Sequence, residues 1–202
     1  MRRLALAALA CLLPASPVIA QRTPVRLVQK VAPGQLLEVD LDSGASLKIV
    51  GWDRAEVSVT TSDAEADCPD AVISLDDAPR GARLETYYPP ETGDVHECSL
   101  ALEVRVPRRF DVRIRSTGGD VSVAGLRGSV DGHTAGGSLE LVGVNGQARL
   151  RTGGGEILVR DSDLDGRLNT GGGGVHFENV RGGITATSGS VRGVTRARPR
   201  SS

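Results

Sequence analysis

Three aspartates at every second position and then a glycine, Asp161, Asp163, Asp165 and Gly166 in the run DSDLDG, begin as a calcium loop of the EF-hand type begins. Such a loop needs a bidentate glutamate at its twelfth position, here Gly172, and a helix on either side. The expectation is therefore no metal, with these three aspartates as the calcium candidates to check and a solvated acidic corner as the alternative. The run TGGGG, Thr170 to Gly174, exposes backbone N–H groups as an anion cradle would, yet it lacks the lysine of a P-loop and the helix that should follow.

Catalytic groups are equally sparse. His96, His133 and His176 share no register, no GxSxG elbow or HExxH helix occurs, and Asp76 with Asp77 or Asp120 with Glu156 read as turn and surface residues. No catalytic or cofactor-binding residue, no cofactor and no enzymatic activity are expected. The alternative is a polysaccharide-acting enzyme, an analogy of fold only. It would need a groove with sugar-stacking rings, and this chain offers only Trp52, Tyr87, Tyr88, Phe110 and Phe177.

What positions these side chains is a repeat. Written from Ser116 in rows of eighteen, the chain places hydroxyls in one column, Ser116, Thr134, Thr152, Thr170 and Ser188. Two columns hold only glycine: Gly118, Gly136, Gly154 and Gly172, and beside them Gly119, Gly137, Gly155 and Gly173. Two apolar columns stand one residue apart, Val121, Leu139, Ile157 and Val175, then Val123, Leu141, Val159 and Phe177. Apolar residues at a period of two mean strands, and the paired glycines mean corners.

A strand-and-corner unit that cannot bury its own apolar face must stack on copies of itself. The expected fold is all-β, a single-stranded parallel β-helix or β-solenoid of about 18-residue coils over 116–193. The hydroxyl column would form a hydrogen-bonded ladder, and the aliphatic columns would fill a narrow core. That core suits a chain with 2% aromatic residues. Of 26 glycines, 21 lie between 116 and 193, and no proline occurs between Pro107 and Pro199, consistent with unbroken sheet. Upstream, SGASLKIVGW (Ser43 to Trp52) reads as one more row, with Trp52 at the place of Leu126, and strands around residues 70–115 read as longer insertions into the same sheet.

Residues 1–20 read as a signal peptide: Arg2 and Arg3, an apolar core from Leu4 to Leu13, and Val18-Ile19-Ala20 before the cut. An N-terminal extension spans 21–35, the solenoid domain 36–194, and a basic disordered tail 195–202. Cys11 follows Ala8-Leu9-Ala10, which raises lipidation as an alternative to cleavage at residue 20. After cleavage, 22 basic and 25 acidic residues remain, a net charge of −3 that does not call for nucleic acid. Cys68 and Cys98, in an oxidising compartment, are expected to form a disulfide stabilising by about 3–4 kcal/mol. No segment approaches the length of a transmembrane helix.

The runs EVRVPRRFDVRIRSTGGDVSVAGLRGSV and LEVDLDSGASLKIVGWDRAEVSV resemble the bacterial DUF4097 adhesin family, related to head GIN-type adhesin domains. The resemblance covers roughly residues 36–194 and implies an exported β-helix-like protein, periplasmic or at the cell surface, that binds or scaffolds at the envelope. It supplies no catalytic residue. Ser122, Glu140, Arg160 and His176, taken as the middle residues of the alternating pairs, are expected to form the binding face for a protein or glycan. The alternative is end-to-end self-association into a bactofilin-like scaffold, since an open sheet edge is a template for further strands.

Overall fold

The computed structural model describes residues 25–61, 71–89, 100–189 and 194–196, the last three by backbone alone. The expected signal peptide, Cys11, Cys68, Cys98, His96 and most of the 195–202 tail lie outside the described residues. Those described form seventeen strands and no α-helix. The N-terminal part comprises β1 (Arg26–Lys30), β2 (Leu36–Leu41), β3 (Ser46–Trp52), β4 (Glu56–Thr61), β5 (Val72–Ala78), β6 (Gly81–Tyr87), β7 (Ala101–Pro107) and β8 (Asp111–Ser116). Then come β9 (Val121–Ala124), β10 (Arg127–Thr134), β11 (Leu139–Val142), β12 (Asn145–Thr152), β13 (Ile157–Arg160), β14 (Asp163–Thr170), β15 (Val175–Glu178), β16 (Ile184–Ser188) and β17 (Val194–Arg196).

These strands make two sheets. One has the order β1-β4-β7-β3-β9-β11-β13-β15, the other β17-β16-β14-β12-β10-β8-β2-β6-β5. From β9 on, each row gives a short strand to the first sheet and a longer one to the second. Each strand pairs in parallel with its counterpart eighteen residues away, Leu139 with Ile157 and Leu150 with Leu168. Inward side chains of both sheets, such as Leu141, Val159, Leu150 and Leu168, form one buried cluster. Each fully buried Val or Leu contributes about 1.5–3 kcal/mol.

Pairing is parallel between the rows of 116–188, while the sheets as a whole are mixed. Strands β1, β4, β5 and β17 pair antiparallel with β4, β7, β6 and β16 respectively. The reason is connection length: β5 and β6 are joined by only Pro79 and Arg80, enough for a hairpin but not for a parallel crossover. Strand β17 also carries the sheet two residues past the domain boundary expected at residue 194. A second departure is in layer order. Although β3 precedes β7 in the chain, it lies between β7 and β9, and β2 lies between β6 and β8. The chain builds the second layer first, drops beneath it, then crosses it through Arg108 to Phe110, where Arg108 N donates to Trp52 O at 2.9 Å.

The glycine corners work by proximity more than by backbone handedness. A Cβ on Gly137 would lie 1.8 Å from Gly119 O, and one on Gly155 would lie 2.1 Å from Gly137 O. At Gly118, Gly136, Gly154 and Gly172 a Cβ would meet nothing closer than 3.6 Å. The second glycine of each pair is thus the one that lets the rows touch. Left-handed backbone recurs in every row at the other corner, at Gly125, Gly143, Asp161 and Asn179, with φ of 66°, 62°, 48° and 52°, whereas among the paired glycines only Gly119 takes it, at 77°.

Thr134, Thr152 and Thr170 are buried and stand over one another, with Ser116 and Ser188 in the same register. Their hydroxyls do not bond along the column, as the ladder reading expected. Thr152 Oγ1 donates to Gly137 O at 2.8 Å, and Thr170 Oγ1 to Gly155 O at 2.7 Å. Each then accepts from the next corner, Thr152 from Gly155 N and Thr170 from Gly173 N. The inward side chain reaches the corner carbonyl of the row beneath more readily than another hydroxyl a full strand spacing away. Thr152→Val should therefore cost about 1–3 kcal/mol, because it leaves buried backbone groups unpaired. Thr134 Oγ1 is buried with no partner among the described residues, so Thr134→Val should be neutral or stabilising. Urea midpoints of the two variants check the contrast.

Candidate functional site

Two outward faces carry the polar side chains, one on each sheet. On the first, the column opposite Ser122 runs Lys48, Ser122, Glu140, Leu158 and His176. Leu158, not Arg160, is the middle residue of its pair. Arg160 also points outward but stands beside Val142 and Glu178, because two residues of equal parity share each short strand. The expected binding face is therefore not one column, and its charges are spent internally. Arg160 Nη2 donates to Glu140 Oε1, Ser122 Oγ donates to Glu140 Oε2 at 3.4 Å, and His176 Nε2 lies 3.0 Å from Glu156 Oε1. The bond to Glu140 and its charge push the Arg160 guanidinium above its usual range.

Of the acidic run DSDLDG only Asp161 and Ser162 form the corner between β13 and β14; Asp163 to Gly166 are the first residues of β14, which corrects the expected corner. Asp161 takes the left-handed position and its Oδ1 accepts from Asn179 Nδ2 at 2.7 Å. Asp165 Oδ1 accepts from Gly183 N at 2.6 Å, and Asp163 pairs in register with Asn145. Asp161 and Asp165 thus bind the next row. That capping role recurs at Asp111, which accepts from Ser129 N at 2.7 Å, and at Asp120, which accepts from Ser138 N at 2.8 Å.

The second sheet presents a different surface. One outward register runs Arg113, Asp131, Arg149, Arg167 and Thr185, and the next runs Arg115, His133, Arg151, Asn169 and Thr187. All five arginines are exposed. Only Arg113 is paired, to Glu38 Oε1 at 3.0 Å. Glu38 also accepts from Arg83 at 3.0 Å, and that bond, with the charges of Arg83, Arg113 and Arg80, holds its carboxyl below the usual glutamate range. Arg115, Arg149, Arg151 and Arg167 form no ion pair among the described residues. Arg149, Arg151 and Arg167 line an open trough of about 950 Å³ whose lining also includes Asp131, His133, Asn169 and Thr185.

Sequence reasoning missed this face because net charge averages it away. The signal was present: Arg113-x-Arg115 and Arg149-x-Arg151, with Arg167-x-Asn169, each end on the hydroxyl residue of their row. Trp52, at the column of Leu126, is half-buried, its Nε1 donating to Glu56 O at 2.9 Å and Arg54 lying 5.0 Å from its ring. A cation already occupies the ring face a sugar would need.

No protein-family model and no curated protein matches the chain. Among solved structures, a "putative cell adhesion protein" from Clostridium sporogenes superposes with a TM-score of 0.53 at 13% identity, covering 77% of this chain and 99% of that one. A "putative adhesin" from Parabacteroides distasonis gives a TM-score of 0.34 at 10% identity over 88% of this chain and 94% of that one. A "putative lipid binding protein" of the same organism gives 0.23 at 11%, over 82% and 96%. At such identity the first likeness is one of fold, and the other two superpose too loosely to bear on function. No described helix is long and apolar enough to cross a membrane.

Proposed function

We propose that the chain is an exported, non-enzymatic, adhesin-like β-solenoid of the DUF4097 kind, binding a partner at the bacterial envelope. The observation that carries this reading is the stacking itself: parallel pairing eighteen residues apart seals the apolar residues inside and repeats outward polar residues in straight columns. Such a surface recognises by repetition, without a nucleophile and base held together. Residues 36–194 constitute the binding domain, Cys68 and Cys98 staple its insertions, and residues 1–20 direct its export. The fold likeness to a solved structure described as a cell adhesion protein supports the reading.

Its test is location. A tag inside the mature protein, in the native bacterium, should be protease-sensitive in intact cells if the protein is on the surface, and only after outer-membrane permeabilisation if it is periplasmic. Retention in the cytoplasm in both conditions overturns the reading. A second reading, end-to-end self-assembly, is favoured by one feature: β15 ends its sheet without a further described strand beyond it. Growth of light scattering with concentration would support that reading, and a monomer at high concentration would exclude it.

A further inference from the structure

We propose that the arginine face of the second sheet is a binding site for a linear polyanionic glycan, lying in the trough along the direction in which the rows stack. The proposal rests on the reading of the chain as a binding module and names its ligand class. Arg149 and Arg167 are direct partners on adjacent strands, with Arg151 two residues from Arg149 on the same face. Like charges so placed destabilise a sheet, and although Asp131 stands beside Arg149, none of the three forms an ion pair among the described residues as Arg113 does. An anion in the trough would relieve them, and the planar guanidinium fork suits carboxylate or sulfate held by two bonds.

The rest of the lining selects among anions. Outward residues here are polar or glycine, so nothing would enter the apolar part of a bilayer. They include no Phe, Tyr or Trp on which a nucleic-acid base could stack. Asp131, Asn169 and Thr185, interspersed with the arginines, suit hydroxyl groups, and a sugar chain carries hydroxyls and acidic groups together. Gly183, beside the outward Asp165, adds no side chain to the lining. Arg149 and Arg167 stand one strand spacing of about 4.8 Å apart, a distance comparable with one sugar unit of an extended polymer, and Arg113 and Arg115 stand two spacings from Arg149 and Arg151.

The experiment uses the mature full chain with polygalacturonate, dextran sulfate, neutral dextran and phosphatidylglycerol vesicles as probes, by calorimetry at two salt concentrations. Binding to both acidic polymers, weaker at high salt, and none to neutral dextran is expected. The variant Arg149→Gln/Arg151→Gln/Arg167→Gln should weaken it by about tenfold or more, the loss of at least one charge-assisted contact. Glu140→Gln/His176→Gln on the other face should not, and circular dichroism must show both variants folded. Binding to neutral dextran, binding to vesicles alone, or an undiminished affinity in the folded triple variant each overturns the proposal. Failure to bind either polymer by a protein that the protease assay finds exported also overturns it, and leaves the envelope reading standing.

Discussion

Gly137→Ala unfolds the protein or costs more than about 4 kcal/mol, while Gly136→Ala, one residue away, leaves stability within about 1 kcal/mol. Both substitutions add one methyl group to the same corner. At Gly137 that methyl falls 1.8 Å from Gly119 O and 2.3 Å from Gly119 C, backbone that is itself fixed in the row beneath. Relief requires parting two rows, so ladder hydrogen bonds and aliphatic contacts on both sides of the corner are lost together. At Gly136 the methyl meets nothing within 4 Å, and its backbone is not left-handed. The smaller freedom of alanine in the unfolded chain then acts almost alone. Thermal melts of the pair decide the matter: equal midpoints would mean that the rows do not approach as closely as described.

Phe110→Ala lowers stability by about 3–5 kcal/mol, which in a chain of this size is roughly 2–4 °C of melting temperature per kcal/mol. Phe110 is 1% exposed and is the one fully buried ring among the described residues. It sits where the chain steps from β7 over the second layer into β8, and its backbone N donates to Arg127 O at 3.2 Å. A core otherwise filled by aliphatic side chains has nothing large enough nearby to collapse into the space. Phe177, half-buried in the last row, is the internal control, and its replacement by alanine should cost less. If the two variants melt together, the crossing is not held by the ring.

The rows were readable because every copy carries the same residue types at the same offset, so the sequence alignment is also the hydrogen-bond register. Choosing a face was harder. Leu158 and Arg160 share outward parity on one four-residue strand, but the eighteen-residue offset from Glu140 falls on Leu158, so the register already excluded Arg160 from that column. Spacing placed the whole of DSDLDG at a corner, whereas only Asp161 stands there, in the left-handed backbone that glycine takes in the rows before, and Asp163 and Asp165 belong to β14, with Asp165 bonding the next row. The N-terminal layers left no trace of their order, because Leu36 pairs with Gly81 on one side and Asp111 on the other without any repeat to announce it.

That layer order has a bearing on how the chain comes to be folded. Within the rows, partners are eighteen residues apart, whereas β2 must find β8 across 75 residues, Leu36 to Asp111. Closing the longer loop costs about 1 kcal/mol more in chain entropy, and distant pairings slow folding. The last-made rows can therefore zip up among themselves, while β2 and β3, which pair on one side with β6 and β7, wait for β8 and β9 on the other. A chain delivered N-terminus first would therefore carry its early layer with one edge of each sheet open until residues 111–124 follow.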